Sequence, residues 1–168
     1  MTPKKAYWLA LKEGPSNNTR KIVCEEPCWA CCYAIDVDKG PREDTSMAAC
    51  KKHNYAYMYA LYVDKCPRED TRTAACRSAW SAYCYAQFVD KYPRDDTRES
   101  ACKNPVSAYA YAKNVDKEPR DNTRNSVCKD PKAAYYYAVY VDRCFREDTY
   151  TAMHKNICYL TKYICLIV

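Results

Sequence analysis

Small and large apolar residues alternate along this chain with a helical period. In residues 51–76, Ala56, Tyr59, Ala60 and Val63 stand at i, i+3, i+4 and i+7, a single stripe on one helix. The stripe returns every 26 residues: Ala82, Tyr85, Ala86 and Val89, then Ala108, Tyr111, Ala112 and Val115, then Ala134, Tyr137, Ala138 and Val141. Behind each stripe comes Val-Asp-Lys (or Arg) and, in most copies, a proline that ends one helix and starts the next. That second helix opens on Pro-Arg-Glu-Asp or a close variant, with carboxylates at the positive end of its dipole, and closes near a repeating cysteine. Thr2-Pro3, Asn104-Pro105 and Asp130-Pro131 read as cap and first residue of the leading helix. Each unit is thus predicted to be an αα-hairpin with helices of roughly 10–12 residues.

A hairpin this short cannot bury its stripe alone, whereas stacked neighbours make one continuous core. The expected fold is therefore all-α: a single α-solenoid domain of about six 26-residue helix–turn–helix repeats plus a C-terminal capping helix. The repeats run 1–24, 25–50, 51–76, 77–102, 103–128 and 129–154, with 155–168 as the capping half-repeat. In the cap, Leu160, Tyr163, Ile164 and Ile167 continue the core stripe. The closing run Ile164-Cys165-Leu166-Ile167-Val168 is expected either to tuck under the last hairpin or to meet another chain.

The unit phrase Ala-Tyr-x-Tyr-Ala-x-x-Val, preceded by Asp-Pro, stands here from Asp130 and Pro131 through Ala134, Tyr135, Tyr137 and Ala138, with matching runs from Ala56, Ala82 and Ala108. It resembles tandem repeats of bacteriophage and bacterial proteins over nearly the whole chain. The resemblance implies a viral or bacterial setting and no particular activity. Tetratricopeptide and Sel1-like arrays are similar only in kind, with longer units of about 34 residues or more.

Composition changes this picture in a few places. Two glycines among 168 residues exclude a glycine-rich phosphate loop, and 18 tyrosines reflect one motif copied several times. No run is long and apolar enough to span a bilayer, and the first residues lack a secretory h-region, so the cytoplasm of a bacterial or phage-infected cell is the expected compartment and no membrane contact is expected. Of 13 cysteines, Cys24, Cys50, Cys76, Cys102 and Cys128 recur in register, with His154 in the sixth slot. Stacked helices about 8–10 Å apart hold such residues too far from one another for disulfides or a shared ion, so they read as small core residues. Cys24, Cys28, Cys31 and Cys32 form the one local cluster that is a weak candidate for metal.

Asp38, Asp64, Asp90, Asp116 and Asp142 precede Arg42, Arg68, Arg94, Arg120 and Arg146 by four residues, a spacing read as a clamp across the turn. Near-identical sets in every unit are unlike an active site, and His53 and His154 stand alone, so no enzyme activity, catalytic residue or cofactor is expected. Two binding readings follow. Slots that vary between units, on the side away from the core stripe, hold Met58, Leu61, Tyr62, Gln87, Phe88, Tyr136, Val139 and Tyr140; apolar and aromatic residues there point either to a protein partner or self-association or to a thicker core in which this face packs on the next helix. The alternative is nucleic acid. The net charge is +6, and Arg72, Arg98 and Arg124 share one slot as a short cationic ladder beside Tyr57, Tyr83, Tyr109 and Tyr135.

Overall fold

The structure is a computed structural model that describes residues 1–167, the side chain of Ile167 excepted. Val168, the end of the apolar run noted above, lies outside the described residues. The chain is an all-helical α-solenoid in which helices follow one another as hairpins. The leading helices are α1 (Pro3–Glu13), α3 (Pro27–Tyr33), α5 (His53–Tyr59), α7 (Ala79–Tyr85), α9 (Pro105–Tyr111) and α11 (Pro131–Tyr137). Their partners are α2 (Asn17–Val23), α4 (Glu43–Ala49), α6 (Glu69–Ala75), α8 (Asp95–Ala101), α10 (Asp121–Val127) and α12 (Glu147–Met153). Helix α13 (Ile157–Ile167) closes the stack.

The second helix of a typical hairpin, at seven residues, is shorter than the periodicity predicts, whereas the leading helix keeps the expected length but changes its winding. From α3 onward the leading helix has seven α-helical residues and then widens into a five-residue π turn, such as Ala60–Asp64 or Ala112–Asp116. The N–H groups of Lys65, Lys91, Lys117 and Arg143 donate to the carbonyls five residues back, at 2.9–3.0 Å. The turn exits through a residue in the left-handed region: Lys39, Lys65, Lys91, Lys117 and Arg143 have φ of 54–63°. The anticipated caps form where polar residues precede proline: Thr2, Asn104 and Asp130 side chains accept from backbone N–H groups of the first turn.

The predicted stripe is the core. Tyr33, Tyr59, Tyr85, Tyr111 and Tyr137 are fully buried, with alanines between them and Val63, Val89, Val115 and Val141 just behind. Clusters cross unit boundaries, as in Ala60 and Ala75 with Tyr85 and Val89, so neighbours bury each other's surface. Successive leading helices pack together and their π turns touch, whereas second helices pack mainly on leading helices. The stack is therefore closer on its leading-helix side, which becomes the inner face.

Two polar ties recur along the stack. The Tyr111 hydroxyl reaches the preceding unit, where it accepts from Arg94 N–H at 3.0 Å and lies 3.0 Å from Arg94 O and 2.9 Å from Thr97 Oγ1. Tyr59, Tyr85 and Tyr137 repeat this set with Arg42 and Thr45, Arg68 and Thr71, and Arg120 and Thr123. These second helices have an arginine at the cap position with no side-chain cap of its own, so a tyrosine from the next unit satisfies their open end. The second tie is ionic. Arg20, Arg72, Arg98 and Arg124 hold Asp38, Asp90, Asp116 and Asp142 of the next unit at 2.7–2.8 Å, all with buried side chains.

This arrangement corrects the clamp expected four residues apart. Only Arg68 reaches its Asp64, at 3.5 Å. Arg42, Arg94 and Arg146 turn instead to Asp44, Asp96 and Asp148, and Arg120 pairs with Glu118. The π turn aims each aspartate backward at the previous hairpin, and the arginine there sits 18 residues earlier in sequence.

One junction lacks its arginine. Ser46 fills that slot between the second and third units, and its hydroxyl is buried without a partner. Asp64 Oδ2 is likewise unpartnered, and burial pushes this carboxyl above its usual range despite Arg68. At the far end, Leu160 and Tyr163 of α13 enter the last core cluster, while Ile164 and Leu166 stay exposed. The described part of the terminal run is therefore not tucked under the hairpin.

Two outcomes test these ties. Tyr111→Phe leaves the Arg94 N–H without its acceptor, while Thr97 Oγ1 keeps its bond to Arg94 O, and is expected to destabilise by about 1–3 kcal/mol in urea titration; an unchanged midpoint refutes the role given to the hydroxyl. Ser46→Arg is expected to stabilise by about 1–3 kcal/mol at neutral pH. A carboxyl whose folded pKa is raised adds stability below its unfolded pKa and loses it as pH rises through the folded value. Asp64 therefore weakens the native chain at neutral pH, and the advantage of Ser46→Arg should shrink towards about pH 4. A benefit that grows on acidification contradicts the assignment.

Candidate partner-binding face

The inner face is built by the side chains that leading helices turn away from the stripe. Three rows run along it. Met58, Cys84, Ala110 and Tyr136 form the deepest; Cys84 and Ala110 are buried between stacked helices, and Met58 packs on the core. Leu61, Gln87, Lys113 and Val139 form the next, with Leu61 and Val139 half-buried against core clusters. Tyr62, Phe88, Asn114 and Tyr140 form the outermost, where the aromatic rings are 54%, 47% and 46% exposed. Of the eight residues the sequence offers as a contact set, Tyr62, Phe88 and Tyr140 are therefore open, and Met58, Leu61, Gln87, Tyr136 and Val139 back them.

Towards the C-terminal units the rows interlock. Tyr140 stacks on Tyr136, with centroids 6.1 Å apart, and the Lys113 ammonium lies 4.6 Å from the Tyr140 ring centre. Lys113 also donates to Tyr109 Oη, and Asn114 Nδ2 donates to Tyr83 Oη at 2.9 Å. Beside them opens a cleft of about 500 Å³ lined by Gln87, Lys113, Asn114, Lys117, Tyr140 and Arg143, among others. A second cleft of about 280 Å³ shares Gln87, Asn114 and Lys117 with it. Gln87 Oε1 is buried with no hydrogen-bond partner.

The charge on this face follows from the ionic ties. In segments 53–65, 79–91, 105–117 and 131–143 the exposed residues are Tyr62, Lys65, Trp80, Phe88, Lys91, Val106, Lys113, Lys117, Lys132, Tyr140 and Arg143. All are cations, aromatics or aliphatics; no carboxylate is among them, because each segment's aspartate points into the stack. Exposed carboxylates gather instead at the openings of second helices, at Glu43, Asp44, Glu69, Asp70, Asp95, Asp96, Glu147 and Asp148.

The ladder proposed for phosphate is not on the surface. Arg72, Arg98 and Arg124 are 6–7% exposed and spent on Asp90, Asp116 and Asp142, with each guanidinium also over the ring of Tyr85, Tyr111 or Tyr137. Tyr83 is buried and Tyr57, Tyr109 and Tyr135 are half-buried, so the flanking tyrosines pack rather than project. The cationic row that is exposed, Lys39, Lys65, Lys91, Lys117 and Arg143, follows the repeating aspartate directly. Its regular Val-Asp-Lys register was the available sequence signal.

The remaining candidates are structural. Among the described residues no three His, Cys, Asp or Glu side chains are gathered as a metal site, so Cys24, Cys28, Cys31 and Cys32 do not form one. Burial raises Cys31 to about 12 and Cys24 to about 11, which keeps both as thiols. The register cysteines Cys50, Cys76, Cys102 and Cys128 are half-buried caps whose thiols burial lifts to about 11. His53 Nδ1 sits 2.8 Å from Ser81 Oγ of the next unit, and His154 Nδ1 lies 3.1 Å from Tyr150 O. No described helix is long and apolar enough to cross a membrane. No protein-family model, curated protein or solved structure matches the chain.

Thiol chemistry reads the same burial. Under native conditions a maleimide should modify Cys66, Cys144, Cys158 and Cys165 first and Cys31 last, followed by mass spectrometry. Labelling of Cys31 as fast as Cys66 contradicts the packing described.

Proposed function

We propose that this chain is a non-enzymatic repeat scaffold that binds another polypeptide along the inner face of its stack. One observation carries the reading: the exposed residues of four successive leading segments are only aromatic, aliphatic or cationic, in register from unit to unit. A solvated face mixes both signs of charge, whereas aromatic residues set among single-sign polar ones mark interfaces. The clefts beside Tyr140 and Lys117 supply concave places for side chains. All thirteen cysteines are free, which suits a reducing, cytoplasmic setting. The nucleic-acid reading has less support, since the arginines it relied on are buried and Tyr140 already lies against Tyr136 and Lys113.

The test is selection of random displayed linear peptides against the full chain and against the triple variant Tyr62→Ser, Phe88→Ser, Tyr140→Ser. Their exposure means circular dichroism should be unchanged in the variant, while selected peptides bind it at least about tenfold more weakly. If the partner is a second copy, light scattering of the reduced protein gives an oligomer that the same substitutions dissociate. A selection that enriches nothing from a monomeric protein, or ligands that the variant retains, overturns the proposal.

A further inference from the structure

Lys39, Lys65, Lys91, Lys117 and Arg143 occupy one slot of the stack, and all are exposed. Their backbone, with φ of 54–63°, is the conformation that glycine adopts freely and asparagine tolerates. Their structural duty is a backbone one, the N–H that closes the π turn, and glycine would perform it as well. A positive charge at a helix end gains something from the dipole, but the helices here are short. Five long cations in five such positions point outward to a ligand.

The spacing identifies its shape. Successive π turns touch, and stacked helices lie about 8–10 Å apart, so neighbouring cations recur about every 10 Å. A polyproline-II chain rises about 3.1 Å per residue and turns once in three, which returns a side chain to the same side about every 9 Å. Beside the row lie Tyr62, Phe88 and Tyr140, and a cleft between units is lined by Gln87, Lys117 and Arg143.

We propose that the row binds an acidic linear segment of a partner protein in polyproline-II form, one carboxylate per unit over Lys65, Lys91, Lys117 and Arg143. The carboxylates fall at every third residue. The residues between them face the aromatic row. This rests on the protein-binding reading above and names the chemistry of the partner.

The experiment is fluorescence anisotropy with the full chain and three labelled peptides of identical composition, with glutamates at every third residue, at every second residue, or in one block. An oligothymidylate of equal charge is run beside them. The every-third peptide is expected to bind about tenfold tighter than the others, as three or four ion pairs in register allow. Lys91→Gly, Lys117→Gly, Arg143→Gly, which suits the left-handed backbone and preserves the fold, should remove that advantage. Equal binding of the three peptides reduces the row to general electrostatic attraction and overturns the proposal. So does undiminished binding by the glycine variant, or tighter binding of the oligothymidylate. Peptides selected on the inner face that lose affinity in the serine variant but not in the glycine variant, and show no acidic period, sink this inference while the scaffold reading stands. Failure of every peptide ligand, selected or designed, with a protein that is monomeric by light scattering removes both.

Discussion

The fold depends on a hydroxyl that crosses from one unit to the next. In a typical second helix the Thr97 N–H is taken by the helix's own Asp96, but an arginine stands where a capping side chain would be and its N–H has no acceptor within the hairpin. The tyrosine of the following unit supplies the missing partner from inside the core, bonded to the arginine's N–H and beside its carbonyl and a threonine hydroxyl. One residue therefore does two things: its ring fills the gap between alanine-lined helices, and its tip closes the neighbour's open end. Neither hairpin is complete without the other. This is the physical content of saying that a repeat array has no stable single unit.

The ionic tie gives the molecule its polarity. A buried arginine–aspartate pair is poor evidence of stability by itself, since desolvation offsets most of the attraction. What it does here is sort charge. From the third unit to the sixth, placing one carboxylate per unit inside the stack leaves the cation after it without an exposed acidic neighbour on the same segment, so this face is cationic in a chain whose net charge is only +6; in the second unit Asp36 stays exposed on the segment of Lys39. The exception shows the rule at work. Ser46 leaves Asp64 with a stranded oxygen and only a long contact to Arg68, so the second and third units are joined by the tyrosine tie and apolar packing. That junction is held without the ionic tie that Arg20, Arg72, Arg98 and Arg124 supply elsewhere.

The repeat, the hairpins and the buried stripe were legible because they rest on period alone, and Tyr59, Tyr85, Tyr111 and Tyr137 are buried where the pattern places them. The partners of Asp90 and Asp116 were not. A spacing of four residues looks like a pair in one dimension, whereas the true partner lies 18 residues back and is brought near only by the π turn. The π turn itself has no local sequence signature, so the widening at the end of each leading helix was hidden and the arginines of the second helices looked free. Variation between units marked the right face but not its depth. Met58 and Cys84 vary because each wedges against a different neighbour, while Tyr62 and Phe88 vary on the surface.

The left-handed cation after each π turn ties these threads together. A non-glycine residue with positive φ is disfavoured by roughly 1–2 kcal/mol, and the chain accepts that at five positions while holding glycine at only two others. The π turn explains the conformation, because a widened last turn must reverse sharply to start the next helix. It does not explain lysine and arginine, since a glycine would reverse as well. Dipole complementarity accounts for a few tenths of a kcal/mol up to about 1 kcal/mol at an exposed helix end, which leaves part of the conformational penalty uncompensated within the fold. A side chain kept against its own backbone preference in five units, exposed and, from the third unit to the sixth, on a segment whose exposed residues include no carboxylate, is better explained by what it meets than by what it supports.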